Sequence, residues 1–305
     1  MDVYKKIKQK IKLGIFFKDA AFRYVRFIFA KIIYRMSRKP LFPHPNRIGI
    51  ITVNPEIEHP IIKLPKNYEA IINEIVQSGD NILQESEKCH YIGEKEAMEQ
   101  LREISAQVKM RSELPENFKE KIVAVRTKNA EEVSGLEEFC QSIIPQVEEH
   151  IFGSYVEINS AFLEYKFAGS NIEEKDEKFH SDRHYEDTVR LIIYLNDVDE
   201  GSAPFEYIRH KVTGAVPRIP VYEHPKKTDR TRVKKEIIDE YLSNGYEKIK
   251  VVGKKGTFII FDSKIIHKAN KAKTGDRKVV VLPIRPSITK HDRYIDDSRV
   301  DNAYI

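Results

Sequence analysis

Beyond residue 155 the apolar residues stop recurring at helical steps and gather into short runs. Residues 155–167, 189–195, 248–252, 257–261 and 279–284 are rich in Val, Ile, Phe and Tyr, and Gly, Asp, Asn and Pro separate them. β-branched and aromatic side chains fit a pleated, half-buried surface, and the intervening residue types supply turns. No helical pattern alternates with the runs, so they do not read as a parallel sheet with crossover helices. They predict an antiparallel sandwich or barrel. No P-loop, Gly-rich dinucleotide turn, internal repeat or low-complexity segment accompanies them.

Ahead of these runs the period is helical. Across residues 67–152 apolar positions fall at Ile71, Ile72, Ile75 and Val76, then at Leu136, Phe139, Ile143, Ile144 and Val147. This stretch is expected to form a helical layer supporting the sheet. Residues 48–53 read as a short apolar strand, and the prolines between 39 and 45 mark a linker. Residues 3–36 form a predicted amphipathic helix, with Ile7, Ile11, Ile15, Ala21, Val25, Ile28 and Ile32 on one stripe. Its uncharged stretches fall short of the ~18–20 residues that span a bilayer, and it has no small-residue cleavage pattern of the signal-peptide kind. The organisation expected is a basic arm at 1–39 and one domain over 46–305, with its sheet core at about 155–287.

Charge is distributed unevenly. The arm holds twelve Lys or Arg against two Asp, a net +10, so with +5 overall the remainder carries −5. A basic arm on an acidic body argues against nucleic-acid binding by the whole protein. The arm is expected either to lie on anionic membrane as a peripheral helix or to pack its apolar face on the body or a second subunit. Cys89 and Cys140, 51 residues apart, match no metal-ligand or redox spacing. A reduced, cytoplasmic compartment is the simplest expectation.

One local pattern carries chemistry. In the strand-like segment Phe179-His180-Ser181-Asp182, side chains at i and i+2 share a face, so His180 and Asp182 can grip one ion together. A second His from elsewhere would complete a two-His, one-carboxylate triad, which leaves three octahedral positions open and suits Fe(II). The pair alone is weak, since chance supplies such spacings. His184 and Glu186 repeat it, and a surface His beside a solvated Asp explains either.

Further motifs narrow the choice. Gly201-Ser202-Ala203-Pro204-Phe205, then Gly256 through the apolar run to Phe261-Asp262-Ser263 and His267, then Asn270 and Arg277, resemble the phytanoyl-CoA dioxygenase-like family of Fe(II)/2-oxoglutarate oxygenases. Asp182 and His267 are 85 residues apart, and Arg277 follows His267 by ten. The resemblance, covering about 162–286, implies an α+β fold with a double-stranded β-helix core (jelly-roll, cupin-like), supporting helices and the N-terminal amphipathic helix.

The resemblance also implies His180, Asp182 and His267 as iron ligands and Arg277 as anchor for the distal carboxylate of 2-oxoglutarate. A guanidinium suits that task, offering two parallel hydrogen bonds and a permanent charge. Thr274-Gly275-Asp276 is a good turn, from which Arg277 should start a strand running beside the His267 segment. The implied reaction is hydroxylation of an unactivated C–H bond with release of succinate and CO₂. The carboxylate at 182 favours hydroxylation over halogenation. Where the family often has Ser or Thr two residues after the distal His, this chain has Ala269. Tyr165 is therefore a candidate co-substrate contact, with a core role as the alternative, and Asn270 reads as a turn residue.

The stretch between Phe205 and Gly256, about 206–250, reads as an insert at the barrel mouth. Residues 209–235 hold nine Lys or Arg against Glu223 and Asp229, a net +7. Pro217, Pro220 and Pro225 make the first part loop-like, and residues 231–244 could form a helix closed by Gly245. Such a lid is expected to meet an anionic small molecule, sugar or lipid-linked substrate, unless it is only a solvated loop. The alternatives are a catalytically silent jelly-roll binding protein and a protein side-chain hydroxylase.

Overall fold

The computed structural model describes residue 25 and residues 49–83, 89–93, 121–127, 130–158, 161–170, 177–182, 188–219, 228–229, 232–287 and 289–295. The expected arm (except Val25), the linker, and the pair His184 and Glu186 lie outside the described residues.

After strand β1 (Ile50–Val53), helix α1 (Tyr68–Leu83) buries Ile71, Ile72, Ile75 and Ile82, which recur at helical steps. Helix α2 (Leu136–Val147) buries Leu136, Phe139, Cys140, Ile143 and Ile144 on one stripe. Pro145 lacks the N–H that would continue its ladder, and the chain widens into a π turn at Glu148–Phe152. Between these helices, where a mostly helical stretch was expected, lie strands β2 (Cys89–Gly93) and β3 (Ile122–Thr127). The β3 residues IVAVRT alternate faces with a period of two, a pattern too short to interrupt the helical reading around it.

Thereafter the chain is mostly strand: β4 (Tyr155–Ile158), β5 (Phe162–Lys166), β6 (Val189–Tyr194), β7 (Phe205–His210), β8 (Thr228–Asp229), β9 (Arg232–Val233), then helix α3 (Lys235–Ser243), and β10 (Tyr246–Val251), β11 (Phe258–Asp262), β12 (His267–Ala269) and β13 (Arg277–Ser287). Helix α3 ends before Gly245, whose φ of 85° reverses the chain. The two ends of the expected insert, β7 and β10, pair with each other in register Phe205↔Val251 to His210↔Tyr246, so only the residues between them leave the sheet.

Among the described residues, the large antiparallel sheet runs β1-β11-β6-β13-β5-β3-β2, with β4 also on β13. A small sheet runs β10-β7-β12. These two sheets face each other in the expected jelly-roll arrangement, and helices α1 and α2 cover the large sheet's other face. One core joins Ile71, Ile75, Phe139 and Ile143 to Leu163, Leu191, Ile193, Phe258 and Val280. A second fills the space between the sheets with Tyr194, Phe205, Tyr207, Ile259, Phe261, Val279 and Val281. The large sheet is therefore apolar on both faces, which explains the unbroken run Phe258–Asp262, buried at every position. Gly256, at φ 86°, turns the chain into that strand, and its carbonyl accepts a hydrogen bond from the Tyr68 hydroxyl of α1. No described helix is long and apolar enough to cross a membrane.

Candidate metal centre

His180 and His267, 87 residues apart in sequence, are joined through their main chains. His180 N–H donates to His267 O at 2.8 Å, and His267 N–H donates to His180 O at 3.0 Å. Residues that exchange both bonds across an antiparallel pair lie directly opposite, so their side chains share a face. The two rings stand 4.3 Å apart, centroid to centroid.

The residues around this pair hold it in place. Asp182 N–H donates to Ser263 O at 2.9 Å, and Ser181 Oγ donates to Lys264 O at 3.0 Å. Ser263 Oγ donates to Thr188 O at 2.9 Å, and Asp262 Oδ1 accepts from Lys264 N–H at 2.8 Å. The Asp262-Ser263 motif thus laces the His180 segment to the loop that delivers His267.

Each ring is oriented by its second nitrogen. Nδ1 of His180 lies 2.9 Å from Lys178 O and Nδ1 of His267 lies 3.0 Å from Ile265 O. A carbonyl only accepts, so Nδ1 carries a proton in each ring, and in the neutral imidazole that tautomer leaves the lone pair on Nε2. Phe205 stacks on the His267 ring at 5.5 Å, and Phe261 approaches it at 4.9 Å. Asp182 Oδ2 lies 4.0 Å from His267 Nε2, and one donor atom from each of His180, Asp182 and His267 falls within 4.8 Å of the others. Burial, then the nearby His180, pushes the His267 pKa down to about 3, although Asp182 pulls the other way. A neutral imidazole is the form that ligates a cation. Two imidazoles and one carboxylate on one face are a donor set that fits Fe(II).

Arg277 starts β13 as its turn predicts. However, that strand lies between β5 and β6 in the large sheet rather than beside β12. The guanidinium is buried, with Nη1 donating to Ala203 O and Nη2 to Glu164 Oε1, each at 2.8 Å. Its Nε has no hydrogen-bond partner among the described residues, which leaves a buried N–H unsatisfied by them. Ala203 holds φ 54°, an uncommon conformation for a residue with a Cβ, and so presents its carbonyl to Arg277. This is the structural work of the Gly201–Phe205 motif. Asn270 donates from both its N–H and its Nδ2 to Pro204 O, a turn role as expected.

Tyr165 sits elsewhere. Alternation along β5 puts Glu164 and Lys166 on the face between the sheets, whereas Tyr165 faces the helix side with Leu163 and Phe167. Its hydroxyl donates to Asp276 Oδ2 at 2.7 Å. The structure therefore does not bring Tyr165 to Arg277's face.

Five residues near the centre were not singled out in the sequence. Arg190 on β6 places Nε 2.9 Å from Asp182 Oδ2. Glu164 is shared by Arg277 and Arg126, and Lys166 pairs with Glu177 at 2.9 Å. Burial alone would raise the Glu164 pKa, but the flanking guanidiniums outweigh it and hold the group at about 2. The available signal was a charge at an inward position of an otherwise apolar strand, as in Val189-Arg190-Leu191.

Among solved structures, the chain is similar to the non-heme alpha ketoglutarate dependent carbocyclase SnoK from nogalamycin biosynthesis. The two share 12% identity with a TM-score of 0.50, covering 84% of this chain and 83% of that one. It is similar to the same degree, 12% and 0.50, to the epimerase SnoN in complex with Fe3+, alpha ketoglutarate and nogalamycin RO, over 79% of this chain and 80% of that one. What they share is the fold. No family model and no curated protein matches the chain.

Proposed function

We propose that the chain is an Fe(II)- and 2-oxoglutarate-dependent dioxygenase of the phytanoyl-CoA dioxygenase-like kind, hydroxylating an anionic small molecule, sugar or lipid-linked substrate. The observation that carries the reading is the His180, Asp182 and His267 cluster, both imidazoles oriented through Nδ1, beside the same space between the two sheets that the buried Arg277 borders from the large sheet. The fold it shares with SnoK and SnoN supports the same reading, as does the order of the motifs along the chain.

His180, Asp182 and His267 would hold the iron. The iron and keto acid would supply the oxidising chemistry, in which one atom of O₂ would go to the substrate hydroxyl and the other to succinate, with loss of CO₂. The protein's own residues orient and exclude. Nε–H of Arg277 is an unsatisfied donor suited to the distal carboxylate, with Ala203 O and Glu164 fixing the plane of the guanidinium. Tyr194, Phe205, Phe261 and Val279 supply buried apolar surface between the sheets beside these groups.

The test is anaerobic addition of Fe(II) and 2-oxoglutarate. The wild-type protein is expected to develop a weak visible charge-transfer band, which His267→Ala and Asp182→Ala abolish. Absence of the band in the wild type would overturn the assignment.

A further inference from the structure

Strand β7 leads away from the co-substrate anchor. Just before it, Ala203 O holds Arg277, and along it Phe205, Tyr207 and Arg209 alternate onto one face. That face is the inner one. Phe205 and Tyr207 belong to the core between the sheets, whereas Ile208 packs behind the small sheet with Ile238 of α3. Exposure rises along the row: Phe205 is 2% exposed and Tyr207 6%, while the Arg209 side chain is 42% exposed. Four residues of strand advance about 13 Å, so the row runs from the buried end that Arg277 marks out to solvent.

His267 sits midway along this row. Tyr207 is its register partner, and directly opposed residues carry their side chains on one face with Cβ atoms about 4.5–5.5 Å apart. On the other side of β7, Tyr207 lies opposite Ile249 and Arg209 opposite Glu247 of β10. Arg209 Nη2 donates to Glu247 Oε1 at 3.0 Å. A co-substrate held by Arg277 and reaching the metal ligands occupies the Phe205 end, which leaves the wall from Tyr207 outward for the substrate. That wall offers an aromatic ring with a hydroxyl, an aliphatic side chain, and at the rim a guanidinium and a carboxylate that pair with each other. Burial pushes the Tyr207 pKa up, so the phenol keeps its proton and can donate. An anion would have to compete with Glu247 for Arg209. An apolar molecule would strip water from the phenol and the ion pair without replacing its hydrogen bonds. A ring carrying several hydroxyls meets both demands, packing its C–H groups on Tyr207 and Ile249 and supplying donors and acceptors to the polar groups.

We propose that Tyr207, with the Arg209–Glu247 pair beyond it, forms a subsite for a hydroxyl-rich, sugar-like substrate ring, and that the Tyr207 hydroxyl fixes that ring's orientation toward the metal. The inference rests on the oxygenase reading and selects the sugar among the substrate classes it allows.

The test loads the protein with Zn(II) and 2-oxoglutarate, which cannot turn over, and measures binding by calorimetry. The probes are methyl glucoside, methyl mannoside and methyl galactoside, with phenyl phosphate and cyclohexanol as the anionic and apolar comparisons. At least one glycoside is expected to bind more tightly than either comparison. Tyr207→Phe should weaken that glycoside about fivefold or more, the effect of one lost hydrogen bond, and leave 2-oxoglutarate affinity within about twofold of wild type. Glu247→Gln should weaken the same glycoside. Binding of no glycoside, tighter binding of either comparison, unchanged glycoside binding in Tyr207→Phe, or a loss of 2-oxoglutarate affinity in Tyr207→Phe as large as in Arg277→Gln would overturn the subsite. If Tyr207→Phe does not fold, Glu247→Gln on the exposed rim decides. A wild-type protein that binds neither Zn(II) nor 2-oxoglutarate removes the oxygenase reading, and the subsite with it.

Discussion

Glu164 is the acid around which the closed end is organised, because one buried carboxylate serves two guanidiniums. Removing it takes away the carboxylate that Arg126 and Arg277 share. Glu164→Gln is expected to cost about 3–5 kcal/mol in urea unfolding, the range for breaking a buried pair. Acid should act on the same group. Its folded pKa, about 2, lies below the ordinary 4.5, so its contribution is complete above about 4.5 and is lost as pH falls toward 2. His267 loses stability over a higher window. Its pKa falls from 6.5 to about 3, so the unfolded chain takes the proton first and stability drops as pH goes below 6.5. Metal-free protein unfolded in urea at pH 7, 5.5 and 4 should show that first loss, and His267→Gln should flatten it.

Among the elements, the turn before β7 has the most specific role. Ala203 adopts a positive φ so that its carbonyl meets Arg277. A β-branched side chain is strongly disfavoured there, at a cost of about 1–3 kcal/mol. Ala203→Val should therefore lower the melting temperature and weaken 2-oxoglutarate binding, whereas Ala203→Gly keeps both. A calorimetric titration of the two variants that finds equal affinities would show that this carbonyl does not orient Arg277. Strand β13 is a different kind of element. Its 11 residues are bordered by β6 on one side and by β5 and β4 on the other. It thereby carries the Arg277 guanidinium on the most enclosed strand of the large sheet.

At the scale of the molecule, the long strands were legible because their composition is extreme. The run around Phe258 and Ile260 is buried on both faces and contains no competing signal. Strands β2 and β3 were not legible, since six alternating residues carry little weight between two strongly periodic helices. Nor was the three-residue β12, which exists through its pairing with β7. At the site, His180, Asp182, His267 and Arg277 could be picked out by spacing and motif. Tyr165 could not be placed, because a one-residue shift along a strand reverses its face. Arg190 and Glu164 stand out locally only as charges at inward strand positions, and the partners that give them their roles come from other strands. Metal should add to the stability of a frame already formed. At metal concentrations 100 times Kd the gain is about 2.7 kcal/mol, so chelation should lower the melting temperature by several degrees and leave the far-ultraviolet circular dichroism unchanged.

The reciprocal main-chain bonds between His180 and His267 separate shape from chemistry. Any two residues with an N–H and a C=O can make those bonds, so the side chains at 180 and 267 are free to change without dismantling the pairing that positions them. A lineage of this chain could trade its imidazoles for other groups and keep the same scaffold. The same economy means that an inactive descendant would retain the outline of an active one, distinguishable only by what stands at those two positions.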